Sequence, residues 1–255
     1  MHQLKHLTFK GIYNIIIPAF VDAVLNHCHT LEALQLLGIV DSAESLMLFQ
    51  AIPNHCHLVH LTSLHLEEMN MTNESINILC NSVYAKQLTS LSLKRVRGVS
   101  IETYQQVFSS FNQLKSFELI LKVVKRWDDE MQQKEYYELL LSLLDPLFDD
   151  DCAFANTLQH LTVDAYCFNT NKWKDKRFVE EMLHEHVIPH WKFPFPNLQS
   201  CHVDLQINDC QIATLMTNRL LENCSALHAL YWKVAEAPYY SIYTRVDSNN
   251  IFSVW

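Results

Sequence analysis

Three groups of side chains in this sequence have the composition and spacing of metal ligands. His27-Cys28-His29 and His55-Cys56-His57 each flank a thiol with imidazoles, and Glu180, Glu181, His184, Glu185, His186 and His190 crowd one short segment. Thiolate, imidazole and carboxylate form the ligand set of zinc. The two triplets recur 28 residues apart, however, at equivalent places in a repeat. That placement predicts a small buried hydrophobe for the cysteine and exposed turn residues for the histidines. In the third group Pro189 interrupts the helical face that His186 and His190 would share. All three are read as structural, and neither a metal nor a cofactor is expected. Catalysis finds no better footing. The three glycines, Gly11, Gly38 and Gly98, cannot build a phosphate-cradling loop or a nucleophile elbow. Arg95 and Arg97 are the candidates for an arginine finger that would activate a GTPase. No catalytic residue is assigned, and the chain is read as non-enzymatic.

The elements that position these residues come from a repeated apolar pattern: Leu, two variable residues, Leu, one variable residue, then Leu or a bulky substitute. The eight copies open at Leu4, Leu31, Leu61, Leu88, Leu114, Leu158, Leu198 and Leu227, with steps of 27, 30, 27, 26, 44, 40 and 29 residues. A period in this range signals a solenoid, because one unit cannot bury its own apolar face and must stack on its neighbours. The repeat is identified as leucine-rich. Its fourth and sixth positions share one face of a strand and its third, fifth and seventh the other. Helical spacing follows at Pro18 to His29, Ala43 to Ile52, Glu74 to Tyr84, Glu102 to Phe111 and Gln211 to Cys224, with start signals at Asn73, Ser100 and Asn208-Asp209. The expected fold is an α/β horseshoe in one domain over 1–255, with short parallel strands on the concave face and helices on the convex face. Its two long steps mark insertions near 122–157 and 167–197.

The ninth repeat position holds Ile12, Ile39, Met69, Val96 and Tyr166, so the asparagine ladder of extracellular repeats is absent. Cys28 stands three residues before Leu31, and Cys224 three before Leu227. Through this Cys-x-x-Leu-x-x-Leu-x-Leu signature the chain from Leu4 to about Val234 resembles the repeat region of F-box and leucine-rich-repeat proteins, particularly divergent fungal ones. The resemblance implies substrate recognition within a cullin-type (SCF) ubiquitin ligase, whose adaptor would dock on an F-box. No F-box is present in this sequence. An apolar first rung of Leu4, Leu7, Phe9 and Ile12 leads us to expect a segment upstream. The alternatives are a ribonuclease-inhibitor-like regulator of a partner enzyme and, third, a GTPase-activating solenoid.

A net charge of −9 with scattered basic residues leaves no footprint for nucleic acid or an anionic membrane, so a protein partner is expected. No apolar run is long enough to span a bilayer, and the first residues lack the core of a signal peptide. The expected location is cytoplasmic or nuclear. Eight cysteines without a dense framework read as reduced, buried thiols, and the sequons at Asn70, Asn73 and Asn223 as accidental matches.

The partner-binding residues expected on the concave face include His65, Glu67, Ser92, Lys94, Glu118, His160, Asp164, His202, Asp204 and Tyr231. Glu118, Asp164 and Asp204 would favour a partner with a basic surface or hydrogen-bond donors. In the insertions, Asp149-Asp-Asp151 is read as a solvated acidic surface. The segment His190-Trp-Lys-Phe-Pro-Phe-Pro196 is read first as packing back onto the solenoid, and second as an exposed interface anchor.

Overall fold

A computed structural model describes residues 4–11, 17–21, 27–54, 58–123, 130–167, 191–204, 210–232, 242–246 and 252–254. The chain divides into two compact units, 1–118 and 119–255.

In the first unit four five-residue strands, β1 (His6–Lys10), β2 (Ala33–Leu37), β3 (Ser63–Glu67) and β4 (Ser90–Lys94), pair in chain order, all parallel. Their register superposes the repeat on itself. Leu7, Leu34, Leu64 and Leu91 stand opposite one another, as do Phe9, Leu36, Leu66 and Leu93. From β2 to β4 these side chains are at most 2% exposed. Burying each such leucine contributes about 1.5–3 kcal/mol, so the stacked rows form the main core. At β1, Leu7 and Phe9 are only half-buried, although Phe20 covers Phe9 with ring centroids 4.2 Å apart.

A recurring hydrogen-bond device joins successive rungs. The amides at the second and third repeat positions both donate to the carbonyl at the second position of the rung before. Thr62 and Ser63 donate to Glu32 O (2.8 and 3.0 Å), Thr89 and Ser90 to Thr62 O, and Lys115 and Ser116 to Thr89 O. β3, β4 and the strand opening at Ser116 thus enter the sheet with their first amides satisfied, as buried backbone requires.

Helices α1 (Ile17–Phe20), α2 (Ser42–Asn54), α3 (Asn73–Cys80) and α4 (Ile101–Ser110) separate the strands and pack on one another in chain order. The first opens at Ile17, one residue before the expected Pro18; residues 22–26 of the expected stretch lie outside the described residues, and His27 to Thr30 form a turn that leads into the next strand. Asp41 caps α2, accepting from the Ala43 and Glu44 amides (2.7 and 3.2 Å). Ser100 caps α4 as expected. The cap of α3 is Thr72, one residue before the expected Asn73, whose side chain instead accepts from the Ser100 amide of the next rung (2.8 Å). α3 also stops short of Tyr84. Ser82 Oγ donates to the Leu79 carbonyl (2.7 Å) and accepts from the Tyr84 amide, which diverts the chain into a 3₁₀ turn at Val83–Lys86.

β5 (Ser116–Val123) spans the division between the units. In the second unit α5 (Glu130–Phe148) precedes β6 (His160–Cys167), β7 (Ser200–Asp204) and β8 (Ala229–Trp232), which are again parallel and in register. Leu161, Cys201 and Leu230 face one another, as do Val163, Val203 and Trp232. α6 (Cys210–Asn223) connects β7 to β8. Two further strands, β9 (Ile242–Val246) and β10 (Phe252–Val254), then add antiparallel to β8 and to each other. The leucine pattern has no copy there and gave no sign of them.

Candidate functional site

Five of the expected partner-binding residues fall in the first unit, on the sheet face opposite the leucine rows, and they are tied to one another. Glu67 accepts from His65 Nε2 (3.1 Å) and from the Arg95 guanidinium. A carboxylate can only accept, so Nε2 carries the imidazole proton here. These two donors, His65 first, hold the Glu67 carboxyl below the usual carboxylate range against the opposing effect of partial burial. Glu118 accepts from Ser92 Oγ (2.8 Å) and pairs with Lys94 Nζ (3.0 Å). The Glu118 charge is therefore already met inside the protein. Ser92, lying beneath that bond, is only 8% exposed and is not available to a partner.

The sequence offers Arg95 as a candidate arginine finger, and the structure brings it onto this face. It reaches Glu67 because the residue that follows each of β2, β3 and β4 takes a left-handed backbone. Gly38 (φ 69), Glu68 (φ 53) and Arg95 (φ 54) occupy that same eighth repeat position in successive rungs. An L-residue there costs about 1–2 kcal/mol. The bend turns the Arg95 side chain toward Glu67 and also toward Glu68, 3.2 Å from Nη1. The glycine at position 38 is the sign of this backbone that the sequence carries, since glycine is the default residue at such a position. As a candidate arginine finger Arg95 is already bound to two carboxylates, whereas Arg97 is exposed.

The other five residues lie in the second unit. His160, at the start of β6, is exposed, and its Nδ1 is 2.8 Å from Ser200 Oγ on β7. His202 and Tyr231 are both half-exposed on adjacent strands, with ring centroids 4.1 Å apart. Asp164 lies directly across from Asp204 in the register. Asp204, at 3% exposure, is buried among the protein's own interactions and is not a surface contact.

The aromatic run of the second insertion packs inward. Trp191, Phe193 and Phe195 are at most 2% exposed. They gather around Phe148 at the end of α5, with centroids at 4.6, 4.7 and 6.4 Å. Trp191 Nε1 donates to Asp145 Oδ1 (2.7 Å), and the Lys192 and Phe193 amides both donate to the Phe148 carbonyl. The anchor reading is thereby overturned: the rings gain more by filling this core than by facing water. The acidic run is partly neutralised by the same segment, since Lys192 Nζ pairs with Asp149 (2.9 Å) and Asp150 (2.6 Å). Sequence reasoning missed a groove of about 610 Å³ beside this strap, lined among others by Asn156, Trp191, Lys192, Pro194, Arg219 and Glu222. The two prolines of the strap were its available signal.

The cysteine signature proves to be a packing position. Three residues before the opening leucines from Leu31 to Leu227 stand Cys28, Leu58, Ala85, Phe111, Ala155, Phe195 and Cys224, all buried. Cys28 is fully buried while His27 and His29 are exposed. His55 to His57 and the segment from Glu180 to His190 lie outside the described residues. Burial pushes the Cys80 and Cys224 thiols up to about 11 and Cys152 to about 12, and Cys201 is shifted in the same direction. Such thiols stay protonated and unreactive near neutral pH. Among the described residues no helix is long and apolar enough to cross a membrane. No known protein family and no curated protein matches this sequence.

Proposed function

We propose that this chain is a leucine-rich-repeat module of the horseshoe type that binds a protein partner on the sheet face opposite its leucine core. Its role would be substrate recognition in an F-box ubiquitin ligase. The observation that carries the binding reading is the two-sidedness of the rungs. In β2 to β4, β6 and β7 one side of the strand is sealed by stacked apolar residues, while the other keeps polar side chains in contact with solvent and fixes several by hydrogen bonds across rungs. A face ordered in this way loses little conformational entropy on binding, which favours recognition. The His202–Tyr231 pair adds the residue type that most often anchors an interface. The ligase role rests on the resemblance of the repeat signature, with the adaptor held by an F-box elsewhere in the full-length product.

Affinity purification of the full-length gene product tests both parts. Recovery of the adaptor and cullin subunits is expected, together with a further protein that is lost from a His202→Ala/Tyr231→Ala variant of unchanged melting temperature. Absence of adaptor and cullin sinks the ligase role. Retention of every partner by the double variant sinks the assignment of this face.

A further inference from the structure

We draw no further inference here: the strongest candidate, the groove of about 610 Å³ between the Trp191 strap and the end of α6, has its cations already held by the protein's own acceptors, Lys192 by Asp149 and Asp150 and Arg219 by the Trp191 carbonyl, and nothing in the structure shows what covers it.

Discussion

Replacing Gly98 with alanine, and Gly38 as its control, separates two costs that a glycine can conceal. Both residues have a left-handed backbone, with φ 79 at Gly98 and 69 at Gly38. A Cβ at Gly38 would lie 3.7 Å from its nearest neighbour, Gly11 O, an ordinary contact. Gly38→Ala should then cost only the left-handed penalty of about 1–2 kcal/mol, reduced by the roughly 0.4–1 kcal/mol that alanine gains by restricting the unfolded chain. The net loss is about 1 kcal/mol. A Cβ at Gly98 would lie 2.3 Å from Met71 O. That carbonyl cannot retreat freely, because the Met71 amide donates to Arg97 O (2.8 Å) and the Arg97 amide to Met69 O (2.9 Å). Forcing the two loops apart weakens both bonds at about 1 kcal/mol each, so Gly98→Ala should lose about 3 kcal/mol in all. At a slope near 2 kcal/mol/M the urea midpoints should fall by roughly 0.5 M for Gly38→Ala and 1.5 M for Gly98→Ala. Far-ultraviolet circular dichroism is the suitable probe, since all five tryptophans lie beyond residue 118 and report on the second unit. Equal losses for the two variants would refute the close approach of these loops.

Leu91→Asp places a carboxylate in the middle of the stacked leucines, at a side chain now 1% exposed. It should cost several kcal/mol and abolish the cooperative melt; a wild-type melting curve would contradict the register. Trp191→Ala should cost about 3–5 kcal/mol by emptying the aromatic cluster around Phe148, read as a lower midpoint in calorimetry. A solvent-exposed anchor would give no change. Iodoacetamide at pH 8 should leave Cys80, Cys152 and Cys224 unmodified in the folded protein and alkylate them in urea, as peptide mass mapping would reveal. The same thiols set a pH dependence. Their folded values lie near 11 to 12, above the roughly 8.5 of an unfolded thiol, so the unfolded chain releases its protons first as pH rises. Stability from this source is fully present below about pH 8 and declines toward pH 11 to 12; a urea midpoint that rises over that range would refute it.

How far the sequence could be read depended on the range of the interaction. The inward rows need only the two-residue period of a strand and the cost of leaving leucine in water, so the core positions of Leu34, Leu64 and Leu91 are legible in the sequence. Ser100 was legible as a cap because its partner is three residues away. The choice of Thr72 over Asn73 was not, because Asn73 is diverted to an amide 27 residues distant. The histidine triplets looked like chemistry in one dimension. Around Cys28 they resolve into a buried thiol between exposed rings, since the repeat assigns that position to packing.

The sequence alone determined the alternation of strand and helix, the residues that turn inward and the polar character of the opposite face. All of these follow from local periodicity and the hydrophobic effect. Tertiary structure alone decided which of the polar residues remain available. Pairing Glu118 with Lys94, burying Asp204, drawing Arg95 onto Glu67 and folding Trp191 against Phe148 each bring together groups distant in the chain. It also decided that the parallel order gives way to antiparallel β9 and β10 after β8. Hydrogen bonds and ion pairs act over about 3 Å, and no spacing rule specifies which side chains will meet at that distance once the rungs are stacked.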